Sequence, residues 1–430
     1  MQRLLGIIAM LWLALATVTP SWAVDGRPSI VIDAATGSVL HAEEASRSWY
    51  PASLTKLMTA YVVFDAIRTG ELTLDTPLTY SANAAATPPS KMGFKPGTVV
   101  TVDNALKMLI VRSANDVAVM IAENLGGALG VDGFVRRMNA MAARLGMTGS
   151  RFINPHGLPG EGQVTTARDM ALLAQAIYRD FPDNTAYFKI GALKFGKRTL
   201  RAYNILLARY DGADGMKTGF ICSAGFNLVA SATRGGQRLI VVVLGSTSGL
   251  ARAETAARLM EESFTGAPVF AGGARVTQIG SRLGEPVDLR PEICGPRRVA
   301  KATPSESDGL DGEGDKGEVQ SVLAEKPAPI EPVTVFIGPN PDRKDEAPIA
   351  LALNPLNPVP LPSPFNEGGP AIDTLDPAKI VQEVRRAVAG NPIPRDPFAR
   401  RPNLAASSKA TTPPSPADRP TPSLQPQAPR

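Results

Sequence analysis

Proline is distributed along this chain in a way that limits where a folded core can lie. Residues 296–430 carry 26 of the 39 prolines but only three of the 24 aromatic residues, Phe336, Phe365 and Phe398. A segment of that composition buries too little apolar surface to order itself well, so the sizeable core is expected within the first 295 residues. Charge divides along the same line: 29 Lys and Arg against 23 Asp and Glu in residues 1–295, and 16 against 17 in residues 296–430. A net charge of +5, with no run of basic residues interleaved with aromatics, argues against nucleic acid as a partner. Two His and two Cys in the whole chain exclude most His-built metal sites and any disulfide-dense scaffold, and no cofactor is implied.

The first residues read as a targeting segment. Met1-Gln2-Arg3 gives a positive start, Leu4 to Val18 is almost unbroken apolar sequence, and Pro20 precedes Ser21-Trp22-Ala23. The run is short for a membrane span, so residues 1–23 are expected to be a secretory signal cleaved after Ala23, with an uncleaved anchor as the alternative. The mature chain then works outside the cytoplasm, where Cys222 and Cys294 are able to pair; sequence leaves the pairing open.

Ser29–Ile32 and Val39–Ala42 flank Asp33-Ala34-Ala35-Thr36-Gly37 as a β-hairpin would. After Pro51 the apolar residues Leu54, Leu57, Met58, Tyr61, Val62 and Ala66 recur at helical spacing, with Ser53 at the helix start. Further helices are predicted over 102–110, 116–125, 134–145, 167–181 and 252–264, and strands over 226–233 and 238–244. Strands at both ends with helices between them define an α/β (α+β) unit whose sheet is assembled from both termini. That unit occupies residues 24–265, followed by a short extension over 266–300 and a Pro-rich, mostly disordered tail over 301–430. Within the tail, Asp376-Pro377 begins a possible short helix running to Gly390, too short to be stable alone. The tail is expected to be dispensable for activity.

With so few histidines, a catalytic serine needs another base. His41 sits in the hairpin, and His156, in Asn154-Pro155-His156-Gly157-Leu158, reads as a structural hydrogen-bonding residue. Ser53-Leu54-Thr55-Lys56 places a hydroxyl and an amine one helical turn apart on one face, and a desolvated Lys near another cation has its pKa lowered enough to accept the serine proton. Free backbone N–H groups at the helix start face a developing oxyanion. Ser113-Ala114-Asn115 falls in a turn between predicted helices. Lys217-Thr218-Gly219 leads into strand-like sequence, where a glycine lets a substrate backbone approach closely. S-x-x-K alone is a weak signal; the ordered triple S-x-x-K, S-x-N and K-T-G is a strong one.

On these residues the sequence resembles the low-molecular-mass penicillin-binding proteins, specifically the serine-type D-alanyl-D-alanine carboxypeptidases. The resemblance spans about residues 24–265 and includes Pro51–Thr59, Arg112–Asp116, Asn154–Leu158, Thr166–Ala171, Asp214–Gly219 and Ala224–Ala230. It implies a β-lactamase/transpeptidase-like fold with a helical subdomain, on the periplasmic or cell-wall side of the membrane. It also implies a substrate, the peptidoglycan stem peptide ending in D-Ala-D-Ala, and β-lactams as covalent inhibitors. Ser53 would be the nucleophile, Lys56 the general base and Ser113 the relay to the leaving group. Asn115, Lys217, Thr218 and Gly219 would bind substrate, with the backbone N–H groups of Ser53 and Phe220 as oxyanion hole.

Two departures stand out. Where the family often carries an Arg before the K-T-G strand, this chain has Tyr203, with Arg201 and Arg209 as nearby replacements. The family's all-β domain and amphipathic anchor give way to the Pro-rich tail, which leaves membrane association open. Three alternatives share these residues: a D,D-endopeptidase on crosslinks, a class A-like β-lactamase using Glu161, and a non-catalytic wall-binding protein.

Overall fold

A computed structural model describes residues 26–266, 273–281, 283–296 and 321–338 of the 430-residue chain. The expected signal segment and the helix near Asp376 lie outside the described residues, all of which fall in one compact unit, Met1–Leu361.

The hairpin forms as predicted, β1 (Ser29–Asp33) and β2 (Val39–Glu43) closing on an Asp33 carboxylate that caps the turn through the N–H groups of Ala35 and Thr36. A single 3-10 turn, Ala52–Leu54, runs into α1 (Thr55–Arg68), so Ser53 lies in that turn, just ahead of the α-helix proper. Every residue of α1 from Thr55 to Ala66 is buried, the polar Thr55, Lys56, Thr59 and Asp65 among its apolar neighbours, so the helix is enclosed on all sides.

Around α1 pack a small sheet, β3 (Pro77–Thr79) and β4 (Val99–Thr101), and the helices α2 (Ala82–Ala86), α3 (Val102–Val111), α4 (Asn115–Leu125), α5 (Gly130–Arg144) and α6 (Ala167–Asp180). The chain continues through the hairpin β5 (Ala192–Phe195) and β6 (Arg198–Arg201), then the short α7 (Leu206–Arg209). Three long strands follow, β7 (Ala213–Ile221), β8 (Gly225–Arg234) and β9 (Gln237–Ser246), before α8 (Gly249–Phe264) and α9 (Arg290–Ile293). Lys217-Thr218-Gly219 is inside β7; sequence placed it ahead of the strand.

The main sheet is antiparallel, in the order β2-β1-β9-β8-β7, and the N-terminal hairpin joins the C-terminal strands through β1 and β9. Side chains alternate between its faces, as a pleated strand requires. Val31, Leu228, Ala230, Val241 and Val243 pack against Ala253, Ala256 and Met260 of α8. Ile30, Ile32, Val229, Ile240 and Val242 face the larger core that contains α1 and α6.

The tail reading needs correction in one stretch. Residues 321–338 lie against the folded unit: β10 (Val333–Val335) pairs in parallel with β5, and Leu323 and Val335 are buried. The N–H groups of Ala324, Ala328 and Gly338 donate to the carbonyls of Arg209, Ala208 and Val99. The few apolar residues of a Pro-rich stretch suffice here because β5 supplies the backbone partners that the stretch lacks alone.

Candidate active site

Lys56 is fully buried, and its Nζ donates to Ser53 Oγ at 3.0 Å, to Asn115 Oδ1 at 2.6 Å and to the His156 carbonyl at 2.7 Å. One amine thus joins the turn before α1, the start of α4 and the loop over 154–158. Asn115 is held in its turn, its Nδ2 donating to the Pro88 carbonyl at 3.0 Å. Ser53 is half-buried, at the wall of a cavity of about 380 Å³ that is also lined by Ser90, Lys91, Arg112, Asn115, Leu158, Tyr203 and Phe220.

Backbone fit fixes the Ser53 turn. A Cβ on Gly219 would stand 2.9 Å from Ser53 N and 3.1 Å from both Leu54 N and Pro51 O. The close approach that this glycine permits is therefore to the nucleophile turn, a packing role beside the substrate-binding one expected of it. On the other side, Gly157 has φ +92°, and a Cβ there would strike the Ala52 carbonyl. Asn227, buried in β8, donates from Nδ2 to the Tyr50 carbonyl at 2.9 Å and accepts from Gly245 N–H at 2.9 Å, tying the turn to the sheet.

Ser113 is fully buried, sits at φ +57°, and its Oγ has no hydrogen-bond partner among the described residues. A buried hydroxyl left so costs about 1–3 kcal/mol, which a site tolerates where a ligand group completes it. Lys217 and Thr218 are 2 % exposed in β7, and Lys217 Nζ donates to the Thr218 carbonyl at 2.8 Å. They do not line the Ser53 cavity. They border a small void beside it, and Tyr203 lines both spaces. The cation that faces the Ser53 cavity beside Tyr203 is Arg112, its guanidinium 5.1 Å from the ring centroid; Arg201 and Arg209 do not line it.

The histidines are structural. Burial first, and then the Lys56 charge, depress His156 to about 3, and its Nδ1 accepts from Leu158 N–H at 3.1 Å, which requires the neutral ring. His41 pairs with Ser29 on the hairpin. Asp169 and Arg168 pair at 2.8 Å at the start of α6, away from the serine, where Asp169 also accepts from Ser150 Oγ. Sequence reasoning passed over Asp116. This buried carboxylate accepts from Tyr80 Oη and from the N–H groups of Met92 and Gly93, holding the segment that supplies Ser90 and Lys91 to the cavity. Its place beside the S-x-N turn was the available signal. Glu161 is exposed and lines a neighbouring cleft rather than the Ser53 cavity.

A serine whose hydroxyl meets a buried lysine one turn on, at the edge strand of an antiparallel sheet backed by helices, defines the serine peptidases of penicillin-binding type. The family model described as D-alanyl-D-alanine carboxypeptidase, peptidase S11, matches residues 15–248, and the chain belongs to that family. It is 38% identical over 267 residues to D-alanyl-D-alanine carboxypeptidase DacC of Escherichia coli, covering 60% of this chain and 66% of the relative. Against DacA of the same organism the identity is 36%, covering 56% of this chain and 61% of that one. The chain thus spans less than two thirds of the length of these curated relatives. Among solved structures, penicillin binding protein 5 from Haemophilus influenzae matches with TM-score 0.53 and 34% identity, over 56% of this chain and 71% of that one. Penicillin-Binding Protein D2 from Listeria monocytogenes, in its ampicillin-bound form, matches with TM-score 0.50 and 29% identity, over 57% of this chain and 99% of that one.

Proposed function

We propose that this protein is a serine D-alanyl-D-alanine carboxypeptidase acting outside the cytoplasm. It removes the terminal D-alanine of peptidoglycan stem peptides through an acyl-enzyme on Ser53. The observation that carries the reading is the Lys56 junction, one amine bonded to Ser53 Oγ and Asn115 Oδ1. In the neutral form that acts as base, Lys56 Nζ keeps its two N–H groups on Asn115 Oδ1 and the His156 carbonyl and turns its lone pair to the Ser53 hydroxyl. Ser53 Oγ then attacks the penultimate carbonyl carbon as its proton passes to Nζ, and the acceptors on Asn115 and His156 stabilise the ammonium so formed. The oxyanion is met by the N–H groups of Ser53 and Phe220, each worth about 3 kcal/mol. When the C–N bond breaks, the unpartnered Ser113 hydroxyl relays the proton to the departing D-alanine amine. Lys217 and Thr218 take the substrate's terminal carboxylate once Tyr203 yields, and water releases the shortened peptide.

No carboxylate lines the Ser53 cavity among the described residues, so nothing there drives fast release of a β-lactam adduct as a β-lactamase needs. Intact mass after penicillin exposure tests the proposal. The expected result is one stable adduct, lost in Ser53→Ala, with D-alanine released from a pentapeptide. Rapid nitrocefin turnover, or an adduct retained by Ser53→Ala, overturns it.

A further inference from the structure

Arg112 lines the Ser53 cavity and has no part in the chemistry above. It ends α3, its N–H donating to the Met108 carbonyl at 3.2 Å, and it stands immediately before Ser113, the residue given the proton relay. Its own carbonyl accepts from Ser90 Oγ at 3.1 Å, so its backbone is fixed while its half-buried side chain faces the cavity. The guanidinium lies 5.1 Å from the centroid of the Tyr203 ring and forms no ion pair among the described residues. Lys91, which also lines the cavity, is exposed, and its Nζ donates to the Ala85 carbonyl at 3.1 Å.

Bond lengths bring the substrate's carboxylate to this guanidinium. In the terminal D-alanine the carboxylate carbon and the leaving nitrogen are attached to the same carbon, so they stand about 2.5 Å apart. A nitrogen close enough to take the Ser113 proton therefore presents its carboxylate to the wall that the preceding residue, Arg112, provides. Lys217 and Thr218 border the small void on the other side of Tyr203, together with Val111. A carboxylate entering the Ser53 cavity meets Arg112 before it reaches them. A fork of N–H donors binds a carboxylate more strongly than a cation binds the face of a neutral ring, so the guanidinium changes partner. The Tyr203 backbone stays fixed, its carbonyl accepting from Arg252 Nη2 at 3.1 Å. Its Oη keeps a 3.4 Å contact with Ser90 Oγ, long for a pair of hydroxyls, so the ring is the part able to move.

We propose that Arg112 sets specificity for a free carboxylate on the leaving residue. Its guanidinium leaves the Tyr203 ring for that carboxylate, and the exchange releases Tyr203 to open the way to Lys217 and Thr218. An amidated or esterified terminus does not trigger the exchange and is selected against. The inference rests on the carboxypeptidase reading for the place of the leaving residue.

Benzylpenicillin and its methyl ester test it on the full chain, because they share a reactive ring and differ only at the carboxylate. The ratio of their second-order rates of Ser53 acylation, acid over ester, is measured in the wild type, in Arg112→Gln and in Arg112→Lys. The expected result is a ratio at least tenfold lower in Arg112→Gln, with the ester rate little changed, and an intermediate ratio in Arg112→Lys. A ratio unchanged in Arg112→Gln, including one in which both rates fall together, overturns the proposal and leaves Arg112 as a support for Tyr203. If the ratio falls while the wild type releases no D-alanine from a pentapeptide, the Arg112 assignment stands and the carboxypeptidase reading fails.

Discussion

Gly157 lies so close to Ala52 that a Cβ added to it would sit 1.8 Å from the Ala52 carbonyl oxygen, one residue from the nucleophile. Ala52 itself has φ +48°, a left-handed conformation that an L-residue holds only under constraint, and the Gly157 loop supplies part of that constraint. Gly157→Ala is therefore expected to push the 154–158 loop off the Ser53 turn and lengthen the Lys56 bond to the His156 carbonyl. The expected outcome is a penicillin acylation rate at least tenfold lower, with a smaller loss in melting temperature, read by stopped-flow labelling and calorimetry. An acylation rate within twofold of wild type would show that the turn holds its shape without the loop.

This contact also marks the boundary of what sequence reveals. Ser53 and Lys56 were legible because both lie on one local turn, where three-residue spacing fixes proximity. The N-terminal hairpin, the longer helices α1, α3, α4, α5, α6 and α8 and the strands β8 and β9 were legible from period and turn chemistry. The short helices α2, α7 and α9 and the short strands β3 to β6 were not predicted. Asn115 was legible as a motif, but its 2.6 Å bond to Lys56 spans 59 residues of chain and is fixed only by packing. Gly219 was legible as a close approach, but a glycine does not say which atoms approach, and its contact with the nucleophile turn emerges only from packing. β10 was missed because three residues, Val333–Val335, carry no periodicity of their own, and their partner lies in β5.

His156 makes stability depend on pH. In the folded chain its pKa stands at about 3 against an ordinary 6.5, because burial and then the Lys56 charge disfavour the imidazolium. Above pH 6.5 the ring is neutral in both states and contributes no pH dependence. As pH falls from 6.5 toward about 3 the unfolded chain binds a proton that the folded chain refuses, so folding stability falls across that window. Urea melts at pH 7 and pH 5 should show this loss, and His156→Gln should shrink it. An equal loss in the variant would assign the acid sensitivity to other groups.

Cys222 and Cys294 are bonded across a separation of 72 residues, which settles a pairing that sequence left open. A cross-link closing a loop of that size stabilises by about 2–4 kcal/mol, chiefly by restricting the unfolded chain. Reduction is expected to lower the melting temperature while leaving the penicillin adduct on Ser53, because the bonds from Lys56 to Ser53, Asn115 and His156 lie outside the bridged segment. Loss of labelling on reduction, below the new melting temperature, would place the bridge in the reactive geometry itself.

The strap over residues 321–338 separates two views of the Pro-rich region, one in which all of it is dispensable and one in which a part belongs to the enzyme. Val335 is 1 % exposed beside β5, and the Phe336 N–H donates to Asn104 Oδ1 at 3.1 Å on the buried side of α3. The same strap binds Ala208 and Arg209 through Ala328 and Ala324, so it holds both ends of the stretch that contains Tyr203. A charge at position 335 has to be desolvated or expelled together with β10, and Val335→Asp is expected to cost about 2–4 kcal/mol. Because Tyr203 lines the Ser53 cavity, the same variant should raise KM for a pentapeptide more than it lowers kcat. Thr334→Ser, an exposed change on the same strand, serves as the control and should alter neither quantity. Val335→Asp melting as the wild type does would show that β10 contributes no stability in solution and would restore the view of a wholly dispensable tail.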